Sequence, residues 1–264
     1  STAMGKAAPD LVKDADLGEL SDDAIAGSWR LWQRRAGHRY SIDDVLTAAQ
    51  AVAAFPEAKR VLDLGCGIAS VLLMVAYRLP LAEFVGIEAQ ALSFELARRN
   101  VERNALLRRA RLIHADFRDP EALNAAEPPF DLITGTPPYM PPGSATPAPD
   151  SQRHYARIEM RGGVEAYVEA IAQTLAPQGR AVLCANAYQP ERLPRAAERW
   201  GLPILQRCTL IPRAGSKALF QVWTLGGQAL QAPAQPKDLL FVARDAEGKR
   251  SSAYRSLRRE FDLF

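Results

Sequence analysis

The chain has 264 residues, of which 48% are hydrophobic and 24% are charged, and its formal net charge is +3. This length and composition suit one large domain with a sizeable core and exclude an intrinsically disordered chain. The small net charge does not by itself indicate a nucleic-acid-binding protein, and no apolar run approaches the roughly 20 residues that span a bilayer.

The cysteines Cys66, Cys184 and Cys208 are far apart and fit no CxxC pattern. They predict neither a disulfide framework nor a zinc site, and they favour a reducing, cytoplasmic location. The three histidines are also scattered, so we predict no metal site. Residues 1–4 resemble a cloning scar before a start Met rather than a targeting signal.

Residues 1–55 form a predicted N-terminal arm, which we expect to be mostly helical from residue 22 onward. Short apolar runs then alternate with helical patterns, and the predicted strands are 60–64, 83–87, 111–114, 130–133 and 180–184. Strands alternating with helices predict right-handed crossovers and a doubly wound, mostly parallel α/β sheet. Residues 204–211 and 218–225 predict two consecutive strands of a C-terminal antiparallel hairpin. We therefore expect the main domain to span 56–228, with 229–264 as a linker and basic tail packed on it.

The segment VLDLGCGIAS, residues 61–70, predicts a strand, a glycine turn and a helix. In an open parallel sheet, ligands bind beyond the carboxyl ends of the strands, where Gly65 and Gly67 allow a sharp turn and close approach to a ligand. Glu88 follows at the end of the next predicted strand, where an acid can accept hydrogen bonds from both ribose hydroxyls. The pattern predicts a nucleotide-like cofactor.

Two cofactor classes compete for this turn. A dinucleotide fold calls for GxGxxG, but Ser70 occupies the third glycine position, and Asp63 would face a pyrophosphate unfavourably. Asp63 instead favours a cationic ligand such as S-adenosylmethionine, the alternative being a structural acid that fixes the turn. Asp116 and Phe117 end the third predicted strand, where they suit an adenine amino group and ring; alternatively Asp116 is a helix N-cap.

The fourth predicted strand ends in Thr136-Pro137-Pro138-Tyr139. Proline donates no hydrogen bond to a sheet, so the pair must end the strand. The plain interpretation is a rigid turn with a partly buried tyrosine. The functional interpretation places the turn beside the transferable group of the cofactor.

The motifs VLDLGCG, GIEAQ, HADF and TPPY, in this order and spacing, resemble those of the class I S-adenosylmethionine-dependent methyltransferases. TPPY is similar to the NPPY motif of enzymes that methylate a planar amino group. GHRYSIDDVLTA (37–48) and residues 151–183 resemble segments of the bacterial tRNA adenine-N6 methyltransferases that act on valine tRNA. The resemblance covers roughly residues 30 to 225 and implies a Rossmann-like sheet of seven strands.

The resemblance also implies roles for individual residues. Those expected to bind S-adenosylmethionine are Tyr40, Asp43, Asp63, Gly65, Cys66, Gly67, Glu88, Ala89, Asp116, Phe117 and Thr136. Those expected at the reacting amine are Thr136, Pro137, Pro138 and Tyr139. The alternative for the segment of Tyr40 and Asp43 is helix capping by Ser41 or Asp43 before Val45 and Leu46.

This sequence departs from the family at Thr136, where the family has Asn. A threonine hydroxyl can accept a hydrogen bond but is shorter than the amide and also donates. The expected acceptor is adenine N6 in tRNA, with Arg153, Arg157 and Arg161 meeting phosphates if 151–161 is helical. A protein glutamine or a small molecule remains an alternative acceptor, and a nicotinamide oxidoreductase or a non-catalytic binding module are rival classes. The oligomeric state is left open.

Overall fold

The computed structural model describes residues 12–138, 152 and 163–264. The N-terminal part contains α1 (Asp14–Leu17), β1 (Leu20–Ala26), β2 (Trp29–Arg34) and α2 (Ile42–Ala54). It continues through β3 (Arg60–Leu64), α3 (Ser70–Arg78), β4 (Glu83–Glu88), α4 (Ala91–Arg103), β5 (Ala110–His114), α5 (Pro120–Ala125) and β6 (Phe130–Gly135). The remainder contains α6 (Val164–Thr174), β7 (Leu175–Asn186), α7 (Arg192–Arg199), β8 (Ile204–Ile211), β9 (Phe220–Gly226), β10 (Lys237–Val242) and α8 (Ser252–Arg259).

The main sheet has the strand order β10–β8–β9–β7–β6–β3–β4–β5. Strands β5, β4, β3, β6 and β7 are mutually parallel, and β9 is antiparallel to both β7 and β8. The expected parallel α/β sheet with a C-terminal antiparallel hairpin is therefore confirmed. An eighth strand, β10, pairs in parallel with β8 and extends the sheet beyond the seven expected strands. It lies in the segment interpreted from the sequence as linker and tail.

The N-terminal arm differs from the helical prediction. Residues Leu20–Ala26 and Trp29–Arg34 pair as an antiparallel hairpin, and the expected helix is present only from Ile42. Leu31 and Gln33 point inward in β2 with the two-residue period of a strand, and Gly27 turns the chain with φ +50°. The helical expectation for residues 22–34 was wrong. Apolar residues spaced three to four apart suggested a helix, but the alternation of buried and half-buried residues in β2 and the turn at Gly27 favour a hairpin.

Two apolar clusters cover the two faces of the sheet. In β3, Val61 packs with the cluster that contains α2, α3 and α4, whereas Leu62 and Leu64 pack with the cluster that contains α6 and α7. This alternation is the signature of a strand buried on both faces. Because helices close both faces, the edge where the parallel strands end is the place left for a ligand.

Asn100 of α4 ties the N-terminal hairpin to this edge. Its Oδ1 accepts from the backbone N–H of Trp32 at 2.7 Å, and its Nδ2 donates to the carbonyls of Trp32 and Ile68 at 3.0 Å. Asn100 is fully buried, so its amide is satisfied only by these backbone partners. The hairpin is thereby fixed against the loop that follows β3.

Candidate cofactor and acceptor site

A cavity of about 920 Å³, counted with its open mouth, lies at the carboxyl ends of β3, β4, β5 and β6. Most residues predicted to bind the cofactor line it, namely Asp63, Gly65, Cys66, Gly67, Glu88, Ala89, Asp116, Phe117 and Thr136. They lie at or just after the carboxyl ends of four strands, and parallel pairing brings these strand ends together.

The glycine turn after β3 is held by Glu88. Gly65 and Gly67 have φ values of +59° and +56°, in the left-handed region that favours glycine. The Glu88 carboxylate accepts from the backbone N–H of Gly67 at 2.9 Å and from that of Gln90 at 2.7 Å. A Cβ on Gly67 would meet no atom within 4 Å, so the bare backbone faces open space where a ligand can approach it.

Asp63 has a buried carboxylate oxygen without a partner. Its Oδ1 accepts from the Thr134 hydroxyl at 2.8 Å, while its Oδ2 has no hydrogen-bond partner among the described residues. Burial raises the pKa of Asp63 to about 7, and the charge of Glu88 acts in the same direction. An unpaired buried carboxylate is costly unless a cation compensates it, which suits the amino group of S-adenosylmethionine.

Asp44 adds a second buried acid to the cavity. Its Oδ2 accepts from the backbone N–H of Ser41 at 3.1 Å, across the first turn of α2. Burial raises the pKa of the Asp44 carboxyl, and the neighbouring charges of Asp43 and Asp63 raise it further. A second buried carboxyl close to Asp63 strengthens the preference of the cavity for a positively charged group.

Asp116 and Phe117, which follow β5, line another side of the cavity. Arg118 contacts the Asp116 carboxylate with its Nη2 at 2.6 Å, while the Phe117 ring meets the Tyr167 ring edge to face at 4.6 Å. The N-cap of α5 is Asp119, whose side chain accepts from the Glu121 N–H. The capping role considered for Asp116 is therefore filled by another residue.

The prolines after β6 form a wall between two cavities. Thr136 and Pro138 line the first cavity, and Pro137 and Pro138 line a second, shallow cleft of about 310 Å³ counted with its open mouth. The second cavity is lined on its other side by Asn186, Arg192 and other residues after β7, with Trp223 of β9. A methyl donor in the first cavity and a methyl acceptor in the second would therefore be separated only by Pro138. Tyr139, Arg153, Arg157 and Arg161 lie outside the described residues.

Tyr40 and Asp43 are not brought to the cavity in the described part of the chain. Tyr40 donates from its hydroxyl to the carbonyl of Ala24 at 2.7 Å and packs on the core. Asp43 accepts a hydrogen bond from the Ser41 hydroxyl in the first turn of α2. The following residue, Asp44, lines the cavity instead, because only the neighbouring helical position faces the sheet edge.

Sequence reasoning missed several lining residues that come from helices and connecting segments. They are His38, Asp44, Ile68, Ser70, Val71, Gln90, Ser93 and Tyr167. Tyr167 of α6 is 4% exposed, and its side chain packs closely on two glycines. A Cβ at Gly65 would lie under 3 Å from its hydroxyl oxygen, and a Cβ at Gly135 under 3 Å from its ring. In the sequence, its position is indicated only indirectly, by Gly65 and Gly135, whose missing side chains leave room for a large neighbour.

Comparisons with known proteins agree with this geometry. A family model described as a methyltransferase domain matches residues 61–145. The tRNA1(Val) (adenine(37)-N6)-methyltransferase of Tolumonas auensis is 29% identical over 209 residues, which are 78% of this chain and 83% of that protein. The release factor glutamine methyltransferase of Caulobacter vibrioides is 34% identical over 140 residues, which are 52% of this chain and 44% of that protein.

A solved structure from Agrobacterium tumefaciens, described as a predicted O-methyltransferase, supports the fold. It superimposes with a TM-score of 0.64 at 20% identity and covers 84% of this chain and 98% of its own. The predicted cofactor, S-adenosylmethionine, is confirmed. The match to a methyltransferase domain argues against a nicotinamide oxidoreductase. The resemblance to tRNA adenine-N6 methyltransferases is confirmed at the level of similarity. Residues 61–145 match a methyltransferase domain, and the similar proteins support an S-adenosylmethionine-dependent methyltransferase with a Rossmann-like α/β fold.

Proposed function

We propose that the protein transfers a methyl group from S-adenosylmethionine to N6 of an adenine in tRNA. The observation that carries this proposal is the Thr136–Pro138 wall, which borders the cofactor cavity on one side and a second cavity on the other. Relatives named for adenine-N6 methylation of tRNA1(Val) support the choice of acceptor.

The donor side needs residues that hold a cationic nucleoside. In this proposal, Asp63 and Asp44 receive the amino group, Glu88 receives the ribose hydroxyls, and Asp116 with Phe117 receives the adenine. The bound cofactor supplies an electrophilic methyl group on a sulfonium. The protein's contribution is to fix that methyl at the Pro138 wall and to exclude water around it, so that much of the rate gain is positioning.

The acceptor side must bind a weak nucleophile, because the lone pair of an exocyclic adenine amine is delocalised into the ring. We propose that the Thr136 hydroxyl and the Pro137 carbonyl accept from its two N–H groups and so help to localise the lone pair. Tyr139 would stack on the base, and Arg153, Arg157 and Arg161 would contact phosphates. The base must leave its stack to enter the site.

The experiment is transfer of a tritiated methyl group to total tRNA and to total protein in parallel, followed by nucleoside mass spectrometry. Methylated adenosine in the tRNA fraction is expected. Label found only in protein or in small molecules would refute the proposal.

Thr136 gives a sharper test of the acceptor. If adenine N6 is the acceptor, Thr136→Asn should preserve or raise kcat/KM on tRNA, since the longer amide extends the reach toward the amine. Thr136→Val is the matched control, because it keeps the branched shape and removes the acceptor oxygen. A Thr136→Val enzyme with unchanged kinetics would show that the hydroxyl has no part in catalysis.

A protein glutamine is the second candidate acceptor. Its side-chain amide is also planar, and the release factor glutamine methyltransferase relative favours it. The chain spans less than half of that relative, so the match carries less weight than the tRNA relatives, which it covers more fully. N-methylglutamine in the protein fraction would favour this candidate.

We also propose a cytoplasmic location, in keeping with three buried and unpaired cysteines. No helix in the described part of the chain has the length and apolar character to cross a membrane.

A further inference from the structure

The carboxyl edge of the sheet carries more than the cofactor cavity. Strand β8 is antiparallel to β9, which is antiparallel to β7, so β8 ends at the same edge as β7. Strand β10 is parallel to β8 and ends there as well. The turn after β8 and the turn after β10 therefore lie on the edge at which methyl transfer takes place.

These two turns form one joined surface. The backbone N–H of Ala214 donates to the carbonyl of Arg244 at 2.8 Å, and the Arg213 guanidinium reaches across to the carbonyl of Ala246 at 3.0 Å. The exposed cations of this surface, here called the basic rim, are Arg213, Lys217, Arg244, Lys249, Arg250 and Arg255.

The charges of the basic rim are not neutralised by ion pairs. Within the described residues, none of its six cations lies within 4.0 Å of a side-chain carboxylate oxygen; Arg244, for example, donates to the carbonyl of Gly248 at 2.8 Å. Elsewhere arginines do pair with acids, as Arg207 does with Asp238 at 2.7 Å. Since only Asp245 and Glu247 lie among the cations, the rim has a surplus of four positive charges, compared with +3 for the whole chain.

The rim offers charge without an apolar anchor. The large apolar side chains that are exposed in the described residues are Leu81, Leu107, Tyr188, Leu240 and Phe264, and none belongs to the two turns. Protein interfaces depend on buried aromatic and aliphatic anchors, whereas phosphate contacts need only well-placed cations. We propose that the basic rim binds backbone phosphates of the RNA substrate at a distance from the methylated base; this inference rests on the proposed function.

The test uses a rim variant that spares the side chains supporting the turns. In the described residues Lys217 and Lys249 make no side-chain hydrogen bond, and Arg250 contacts the Tyr254 ring at 5.6 Å. The rim triple is therefore Lys217→Gln, Lys249→Gln and Arg250→Gln in the full chain.

A control triple removes the same charge from the opposite edge. Lys59, Arg108 and Lys237 are exposed and stand at or just before the amino ends of β3, β5 and β10. The control is Lys59→Gln, Arg108→Gln and Lys237→Gln. Both triples should bind S-adenosylhomocysteine like the wild type, which shows that each is folded.

For the rim triple we expect KM for tRNA to rise at least about tenfold, with kcat at saturating RNA changed by less than about twofold. The slope of log affinity for tRNA against log salt should flatten by about 0.7–0.9 for each lost phosphate contact. The control triple should keep the wild-type KM and slope.

The outcomes separate the two proposals. Wild-type enzyme that methylates tRNA, together with a rim triple that matches the control, overturns the rim and leaves the proposed function standing. Wild-type enzyme that transfers no methyl group to RNA overturns both. A rim triple impaired only toward a protein acceptor also overturns the rim as an RNA surface.

Discussion

Replacing Asp63 by asparagine should stabilise the ligand-free protein and weaken cofactor binding at the same time. Burial raises the pKa of this carboxyl from 3.8 to about 7, so folding favours its neutral form. The stability that comes from holding the proton is complete below about pH 4 and is lost as the pH rises through 7. At about 1.4 kcal/mol per pKa unit, wild-type protein above pH 7 has lost about 4 kcal/mol.

The asparagine variant avoids this loss but leaves a buried amide at the Oδ2 position without a protein partner. That amide costs about 1–3 kcal/mol, so we expect a net gain in the free energy of unfolding of about 1–3 kcal/mol at pH 8. The advantage should shrink by about 1.4 kcal/mol for each pH unit below 7. Affinity for S-adenosylhomocysteine should fall about 10- to 100-fold, because the ligand's amino group loses a charged partner.

Urea unfolding of the ligand-free protein between pH 5 and 8, with calorimetry of S-adenosylhomocysteine binding, measures both effects. Asp131→Asn is the matched control, since the Asp131 carboxylate accepts from the N–H groups of Lys59 and Arg60 at the opposite edge of the sheet. The control should leave ligand affinity unchanged. An Asp63→Asn protein that binds the ligand normally and is no more stable at pH 8 would show that Asp63 only fixes the turn.

Two further substitutions probe the walls of the cavity. Glu88→Gln leaves one acceptor oxygen for the N–H groups of Gly67 and Gln90, and calorimetry should show S-adenosylhomocysteine affinity reduced about tenfold; unchanged affinity would mean that the glycine turn needs no such anchor. Tyr167→Ala should lower the free energy of unfolding by about 3–5 kcal/mol, as for other buried aromatic residues, while Tyr167→Phe should cost less than about 1 kcal/mol. Equal urea midpoints for the two Tyr167 variants would contradict the close packing of the ring on Gly135.

The parallel half of the sheet was predictable because its signals are local. The apolar runs Val61–Leu64 and Phe130–Ile133 are buried on both faces and are separated by helical periods, so strand and helix alternate in the sequence itself. The N-terminal hairpin was not predictable in the same way. Ile25, Trp29 and Trp32 mimic the spacing of a helix, and only the turn at Gly27 and the alternation of Leu31 with Gln33 favour strands.

The site shows the same division. Asp63, Glu88 and Asp116 were found because each lies near the carboxyl end of its own strand, and strand ends converge in any parallel sheet. Tyr167 and Ser93 lie on helices, and their place in the cavity depends on how α6 and α4 pack, which the sequence pattern does not specify. The sequence analysis named Asp43 rather than Asp44. A shift of one residue along a helix turns the side chain by about 100°, so only Asp44 lines the cavity.

One hydrogen bond joins nearly the two extremes of the described chain. The backbone N–H of Gly27, in the turn between β1 and β2, donates to the carbonyl of Phe261 at 2.8 Å, and Phe261 is fully buried. Contacts between residues so distant in sequence require a long loop to close, which costs conformational entropy. The Gly27 bond can therefore be present only while the C-terminal residues are docked, and amide exchange at Gly27 should report the same opening event as exchange in α8. A protease cut after β10 would then loosen the beginning of the chain as well as its end.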